Sequence, residues 1–255
     1  MKKYLMTVVA ALAAASFTSC TNEIDMFESL TSEKATIDLN ITNDDAVVTR
    51  AIQNATTSAW WAKMDENEWA YANTLEKQTY TTGNHTIHVG NFKSQAEAMP
   101  NGEAGAAYYT LTKSVKLVKG TNTVEFACGT AKNGKVTVDW SGTADVAGLT
   151  MTSVAASQVA TENTPARTYT YTAGGDAYFY AGAEVTFTIN YTYNSVAKTI
   201  TKKITPAAAT QYAFNVSANS NGTITTLSIT YDDGMTNGAA TTTTIDAATG
   251  AEATN

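Results

Sequence analysis

The two histidines of the chain, His85 and His88, fall within one stretch, TTGNHTIHV. The alternation in this stretch predicts a β-strand, in which residues three apart face opposite sides of the sheet. The two imidazoles therefore cannot act as a catalytic pair, and we expect one ring to be half-buried and the other to lie at the surface.

Nothing else in the sequence assembles catalytic or metal chemistry. No GxSxG elbow is present to activate a serine, and two histidines far from a second cysteine leave no zinc site. The adjacent carboxylates Asp44-Asp45 and Asp232-Asp233 supply too few of the roughly six to eight oxygens that calcium requires. We therefore predict a protein that is not an enzyme and that has no metal or other cofactor.

The N-terminus has the layout of a secretory signal peptide. Lys2 and Lys3 precede an apolar stretch from Leu5 to Phe17, and Cys20 follows after two small polar residues. The apolar stretch is too short to span a bilayer comfortably. The cysteine resembles that of the lipobox of bacterial lipoproteins, which becomes the lipidated first residue of the mature protein. We predict that a lipid on Cys20 is the link to the membrane.

The charge of the chain argues against nucleic acid as a partner, and its cysteine count argues against an intrachain disulfide. The chain carries a net charge of −7, and an acidic protein repels the phosphates of nucleic acid. Only Cys128 remains once Cys20 is acylated, so no intrachain disulfide can form. Cys128 alternates with Val124 and Phe126, which predicts a small apolar core residue.

From residue 35 onward the sequence predicts strands, because β-branched and aromatic residues alternate with polar ones between Gly, Asn and Asp turns. The assigned strands are TTGNHTIHV, TLTKSVKLV, NTVEFAC, KVTVDW, AEVTFTINYTY, KTITKKI, YAFNVSA and TLSITY. The dipeptides Asn133-Gly134 and Asn221-Gly222 predict hairpin turns. Residues 51–75 are ambiguous, and SAWWAKMDENEWAYA has room for a helical turn.

The chain repeats itself at an offset of 88 to 89 residues. The matched pairs include Thr110 with Thr199, Val124 with Tyr212, Phe126 with Phe214, and Asn133 with Asn221. A period of this length is that of a domain, and it predicts two related sandwiches rather than a solenoid.

Three predicted strands share one alternating apolar pattern. Two sandwiches would use two of them as their first strands, which leaves the third without an assigned place. Their inward residues are Ile37, Leu39 and Ile41, then Val136, Val138 and Trp140, then Leu227, Ile229 and Tyr231. If the first strand of each sandwich lies at a sheet edge, the third strand either extends the second sandwich or adds to the sheet of a neighbouring molecule.

Three tryptophans, Trp60, Trp61 and Trp69, lie close to Tyr71 in the ambiguous segment. Large aromatic residues are usually buried, so these residues fit a cap on one end of the first core. Alternatively, an exposed set would form a platform that stacks on sugars or contacts a protein.

The stretch YTTGNHTIHVGN, followed by GAAYYTLTKSVKLVKGTNTVEFACGTAKNGKVTVDW, resembles the fimbrillin superfamily of Bacteroides-type surface lipoproteins over residues 33–233. The resemblance implies an outer-membrane, lipid-anchored protein at the cell surface with a structural or adhesive role in pili. Its partners would be other pilus subunits or further copies of itself, and a host or glycan ligand. The alternative is a carbohydrate-binding surface lipoprotein of a glycan-uptake system, with the tryptophans as its ligand contacts.

The resemblance also implies the fold, which is all-β with two consecutive transthyretin-like β-sandwich domains. The predicted divisions are a signal peptide over 1–19, a tether over 20–34, sandwiches over 35–132 and 133–233, and a flexible tail over 234–255. A chain of this kind is a structural protein rather than an enzyme.

Members of the family are cut after an arginine that follows the first strand, and a partner's strand then fills the vacated groove. Here Arg50-Ala51 follows the strand of Ile37, Leu39 and Ile41, so the resemblance implies cleavage at this bond. The alternative is that Arg50 is an ordinary loop residue and that the chain keeps its lipid and stays uncut. The stretches TLSITY, with Leu227, and TTTTID are both candidates for the donated strand. Exchange of this kind satisfies the unpaired backbone groups of an open edge.

Replacement of the lipidation residue tests the membrane link. We expect Cys20→Ala to move the protein from the membrane fraction to the soluble fraction, because the anchor is lost. Fractionation and immunoblotting measure the distribution, with Cys128→Ala as the control that keeps the anchor. Retention of Cys20→Ala in the membrane fraction would place the anchor elsewhere.

Overall fold

The computed structural model of the protein describes residues 33–42, 60–221, 225–232 and 241–252. Nearly all regular structure in these ranges is β-strand, and the strands form four sheets. The prediction of an all-β chain with two consecutive β-sandwiches is confirmed.

The first sandwich contains seven strands in two sheets, ordered β4-β1-β7 and β3-β2-β5-β6. Its strands are β1 (Lys34–Thr42), β2 (Trp61–Met64), β3 (Ala70–Tyr71), β4 (Tyr80–Thr81), β5 (Gly83–Gly90), β6 (Thr110–Leu117) and β7 (Gly120–Ala127). Two single-turn helices, α1 (Ala72–Leu75) and α2 (Gln95–Ala98), interrupt them. The helical turn predicted within the ambiguous segment is therefore short, and strands flank it.

The second sandwich contains nine strands, ordered β10-β9-β12-β13 and β11-β8-β14-β15-β16. They are β8 (Asn133–Asp139), β9 (Leu149–Gln158), β10 (Arg167–Tyr171), β11 (Gly175–Tyr180), β12 (Val185–Tyr193), β13 (Val196–Ile204), β14 (Gln211–Ser220), β15 (Thr225–Asp232) and β16 (Thr241–Asp246). A 3₁₀ turn at Ser141–Thr143 follows β8. The chain passes from one sandwich to the other between Ala127 and Asn133.

The two sandwiches share one strand order. The sheet β3-β2-β5-β6 corresponds to β10-β9-β12-β13, and β4-β1-β7 corresponds to β11-β8-β14. In both, the first strand pairs in parallel with a later one, β1 with β7 and β8 with β14. Phe126 lies opposite Ile41, and Phe214 lies opposite Val138. The matched phenylalanines therefore occupy equivalent positions, whereas Asn133 opens β8 and its match Asn221 follows β14.

Each sandwich encloses its own core between its two sheets. In the second, the ring of Phe187 stacks on that of Phe214 with centroids 4.6 Å apart, and both rings are buried. In the first, Ile87, Val89 and Phe126 are fully buried. Alternation along the strands produces this division, because successive side chains point to opposite faces of a sheet.

The first strand of each sandwich lies inside its sheet and not at an edge. β1 lies between β4 and β7, and β8 lies between β11 and β14. A strand that opens a domain can be inserted between strands that come later, because parallel pairing needs only a long connection. The third strand of the similar set, β15, pairs with β14 and extends its own sandwich.

The predicted flexible tail contains an ordered strand. β16 pairs with β15 over six residues, Ile245 is 1% exposed, and the hydroxyl of Tyr191 donates to the carbonyl oxygen of Ala247. The prediction was wrong for these residues because β-branched threonines suit a strand and one isoleucine suffices to anchor it to a core already present.

The turn predicted at Asn133-Gly134 is also wrong, because both residues are buried and form the start of strand β8. The side-chain amide of Asn133 donates to the carbonyl oxygen of Ala106 and accepts from the amide of Tyr108. Asn133 thereby joins the start of the second sandwich to the approach to β6, and its local turn preference is overruled by these buried hydrogen bonds.

Arg167 of β10 joins the two sandwiches. Its guanidinium is 1% exposed and donates to the carbonyl oxygens of Pro100, Glu103 and Ala104 in the first sandwich and of Tyr178 in the second. Among the described residues it forms no ion pair, and the buried charge is held by these carbonyl dipoles and by the ring of Phe179, whose centroid lies 5.5 Å from Cζ. Burial lowers the pKa of the guanidinium from its ordinary value.

The segment that Arg167 contacts also pairs with the second sandwich through its backbone. The amide of Gly102 donates to Thr168, and the amide of Tyr178 donates to Ala104. Gly105 has φ of +77°, and a Cβ there would lie 2.9 Å from the carbonyl oxygen of Ala98, so a side chain at this position does not fit. Met99, Tyr108 and Tyr180 form a small apolar cluster beside these bonds.

Loss of the Arg167 guanidinium should uncouple the sandwiches. We expect Arg167→Met to lower the free energy of unfolding by about 3 kcal/mol or more, because four carbonyl oxygens lose a charged donor. Urea unfolding, followed by tryptophan fluorescence and circular dichroism, should change from one transition to two.

The matched control is Lys203→Met. Lys203 pairs with Glu184 at the surface, where both side chains are more than half exposed, so the expected loss is below about 1 kcal/mol. A urea midpoint for Arg167→Met that is no lower than that of Lys203→Met would contradict the role of Arg167 in joining the two sandwiches.

Candidate functional site

Among the described residues, the β1 edge that faces away from β7 pairs with another strand only at its start. β4 pairs with β1 only at Lys34 and Ala35, whereas β7 pairs with eight residues of it. The amide of Leu39 points away from β7 and donates to the Glu76 carboxylate at 2.9 Å. Because backbone groups alternate along a strand, the amide and carbonyl of Ile41 point to this same edge.

A cavity of about 360 Å³ lies against this edge, and we call it the β1 cavity. Strand β1 forms one wall through Leu39, Asn40 and Ile41, and the segment around α1 forms the other through Trp60, Tyr71, Asn73 and Glu76. β4 ends after two residues, so no other described strand occupies the position beside Leu39 and Ile41.

The three predicted ligand tryptophans do not form one platform. Trp60 packs against the core of the first sandwich, whereas Trp61 lies on the opposite face and stacks on Tyr71, with ring centroids 4.1 Å apart. Trp69 contacts His88 edge-on. The platform fails because adjacent residues of a strand, Trp60 and Trp61, must point to opposite faces. The three tryptophans therefore offer no single shared face to a sugar.

The second face of the Trp61 ring is also covered. The ammonium group of Lys93 lies 4.2 Å from the ring centroid, which is a cation–π contact. Tyr71 is in contrast 48% exposed, so it is the member of this stack that a ligand can reach.

A second cavity, of about 370 Å³, lies on the other side of α1. Trp69, Leu75 and Tyr80 line it together with Asn67 and Gln78. The hydroxyl of Tyr80 donates to the carbonyl oxygen of Leu75 at 3.0 Å, and burial raises its pKa to about 12. Tyr80 therefore stays neutral at physiological pH and serves as a wall of this cavity.

His85 of β5 links the turn after β2 to β4. Its Nδ1 lies 2.7 Å from the Asp65 carboxylate, and its Nε2 lies 2.9 Å from the carbonyl oxygen of Thr81 in β4. Both partners are acceptors, which suits a protonated ring that donates from both nitrogens. The hydrogen bond to Asp65 raises the pKa of His85. His88 faces the other way, towards Thr112, as the sequence predicts.

Asp65 has the conformation and contacts of a fixed acceptor. Its φ of +52° is in the left-handed region, and its carboxylate accepts the amide of Thr86 at 2.7 Å. Burial raises the pKa of Asp65, but the hydrogen bonds from Thr86 and His85 outweigh burial, so the pKa lies below its ordinary value. The carboxylate is therefore charged when it meets the imidazole.

The remaining predicted site residues separate into two groups. Cys20, Arg50 and Ala51 lie outside the described residues. The predicted exchange residues belong to different sandwiches: Ile37, Leu39 and Ile41 lie in β1, while Leu227, Ile229 and Tyr231 lie in β15. The structure therefore does not bring the two sets together within one molecule.

The described residues bear on two further features, a metal-binding group and a membrane-spanning helix. They contain no group of three or more His, Cys, Asp or Glu residues placed to hold a metal ion. No helix among them is long and apolar enough to cross a membrane. Cys128 is buried, as predicted, and burial raises the pKa of its thiol to about 11.

Sequence reasoning missed the polar members of the site. Asp65 and Glu76 belong to a segment that was ambiguous between strand and helix, so no face could be assigned to them. A signal existed for Asp65, because a short Asp-Glu-Asn run after a strand favours a turn with positive φ.

No protein-family model matches the chain, and no curated protein matches it. Solved structures that the chain resembles include a candidate cell adhesion protein from Bacteroides fragilis, with a TM-score of 0.43 and 9% identity over 76% of this chain and 96% of that one. A candidate cell adhesion protein from Bacteroides eggerthii has a TM-score of 0.42 and 10% identity over 74% and 87%.

A fimbrial assembly protein from Parabacteroides distasonis has a TM-score of 0.43 and 10% identity, and the match covers 82% of this chain and 97% of that one. At TM-scores below 0.5 and identities of 9–10%, we draw no functional conclusion from these similarities. The function must be argued from the residues of the chain.

The His85 bridge predicts a dependence of stability on pH. The folded pKa is raised above the value of about 6.5 in the unfolded chain, so the stabilisation is complete below about pH 6.5 and is lost as the pH rises through the folded pKa. We expect the urea midpoint of the native protein to fall between pH 6 and pH 9 by more than that of His85→Gln, which cannot take up the proton.

His88→Gln is the matched control, because its ring bonds only the exposed side of β6 through Thr112. This variant should keep the full fall of the urea midpoint between pH 6 and pH 9. If the midpoint fell equally in His85→Gln and in the native protein, the His85 bridge would not be the titrating group.

Proposed function

We propose that this chain is a lipid-anchored structural and adhesion protein of the cell surface that assembles in the manner of a fimbrillin-type pilus subunit. The lipobox-like Cys20 at the end of an export signal supplies the anchor. The two sandwiches, joined through Arg167, supply a rigid body that can transmit force between neighbouring subunits.

The observation that carries the proposal is the position of β1. This strand is central in its sheet, pairs with β7 over eight residues, and buries Ala35, Ile37 and Leu39. On its other side, β4 holds it at only two residues. Withdrawal of β1 would therefore open one groove with an unpaired β7 edge and a row of apolar pockets, which is what an incoming strand recognises.

The two candidate donor strands differ in how firmly they are held. β15 pairs with β14 on one side and β16 on the other, and buries Leu227 and Ile229. β16 pairs with one strand, β15, forms a single bridge from Ile245 to Glu252 and, within its own span, buries only Ile245. Release of β16 breaks fewer hydrogen bonds and exposes less apolar surface, so β16 is the donor in this proposal.

Cleavage after Arg50 would release β1 together with the anchor. The chain has two arginines, Arg50 and Arg167, and Arg167 is buried where it joins the two sandwiches. A protease specific for arginine that acts on the folded protein cannot reach a buried bond. The Arg50-Ala51 bond is thus the one arginyl bond left for maturation.

N-terminal sequencing of protein shed from the cell surface tests this function. We expect a chain that begins at Ala51 and runs as a ladder of polymers on a gel without boiling. Arg50→Ala should abolish both the new N-terminus and the ladder, because β1 then stays in its groove.

The matched control is Lys116→Ala, which removes an exposed basic residue of β6 and should leave maturation and polymers unchanged. A mature surface form that still begins at Cys20 and stays monomeric would contradict the proposal. Deletion of 241–246 offers a separate check, since loss of β16 should stop polymer growth without preventing cleavage.

A further inference from the structure

We propose that the β1 cavity binds a neutral saccharide unit. The inference rests on the proposed function for its biological meaning and applies to the anchored form. Release of β1 would remove the wall that Leu39, Asn40 and Ile41 form. The argument depends on the aromatic walls, the polar groups and the size of the cavity.

The aromatic walls are Tyr71 and Trp60. Trp61 covers one face of the Tyr71 ring at a centroid distance of 4.1 Å, and Lys93 covers the far side of Trp61. The Tyr71 ring is thereby held in place, and the residue is 48% exposed and lines the cavity. A fixed, accessible aromatic ring is what the C–H groups of a pyranose ring pack against.

The polar groups of the β1 cavity include both donors and acceptors. Glu76 uses one carboxylate oxygen for the amide of Leu39 and has a second oxygen to accept a hydroxyl. The side-chain nitrogen of Asn73 has no partner among the described residues, and Asn40 lies on the opposite wall. The amide and carbonyl of Ile41 point to the same edge. Sugar hydroxyls both donate and accept, and they can satisfy this mixed set.

Charge argues against an anionic ligand. The described residues that line the cavity include the carboxylate of Glu76 and no lysine or arginine, and the whole chain carries −7. A phosphate, a sulfate or a sialic acid would be repelled. A neutral sugar avoids this cost.

Size and edge geometry argue against a peptide strand. The volume of about 360 Å³ is at the lower end of the range of roughly 300–1,000 Å³ for small-molecule sites. Glu76 already occupies the Leu39 amide, which interrupts the hydrogen-bonding ladder that an added strand would need. One or two sugar rings suit the space that remains.

Binding can be measured on the purified full chain by saturation-transfer NMR. The probes are methyl glycosides of glucose, galactose, mannose and fucose, with N-acetylglucosamine, and N-acetylneuraminic acid as the anionic comparison. We expect at least one neutral probe to give a saturable signal and the anionic probe to give none. Tyr71→Ala should weaken binding by about tenfold through loss of the stacking face, whereas Tyr71→Phe should bind as the native chain does.

Two isosteric variants keep the test independent of folding. Asn73→Asp should abolish the signal by replacing a donor with a charge, while Asn84→Asp, an exposed position on β5 outside the cavity, should preserve it. Absence of a signal from every neutral probe would overturn the inference, as would unchanged binding in Asn73→Asp or displacement of the sugar only by an extended peptide. Polymer formation and N-terminal processing, measured separately, report on the proposed function itself.

Discussion

The parallel pairing of β1 with β7 is the contact on which the first sandwich depends. It places Ile37 and Leu39 against the opposite sheet and closes the β7 edge along eight residue pairs. The same pairing recurs between β8 and β14, so one constraint organises both halves of the chain. Because β4 pairs with only the first two residues of β1, the β1 cavity lies beside a stretch of β1 that no other described strand pairs with on that side.

Much of the fold could be predicted from alternation alone. Ile37, Leu39 and Ile41, like Val136 and Val138, alternate with polar residues, and the structure places them in strands that face a core. β9 was missed because its buried positions include Ala156 and Gln158, which carry little strand preference. Asn133 was misassigned because a local turn preference cannot reveal hydrogen bonds to residues more than twenty positions away.

The candidate site was harder to predict because its contacts are non-local. Leu39 and Glu76 are 37 residues apart, and Arg167 binds carbonyl oxygens more than 60 residues before it. No residue type marks a carbonyl oxygen as the partner of a buried guanidinium, since every residue has one. The aromatic residues were visible in the sequence, but their division between two faces required the exact start of β2.

The distance along the chain between β1 and β7 has a consequence for the order of folding. Thr36 and Thr121 are 85 residues apart, so this pairing carries a high contact order and a loop-closure cost that must be met before it stabilises anything. In a chain that emerges N-terminus first, β1 appears early and has no long partner until residues 120–127 follow. We expect β1 to spend this interval as an unpaired apolar strand, open to whichever strand reaches it first.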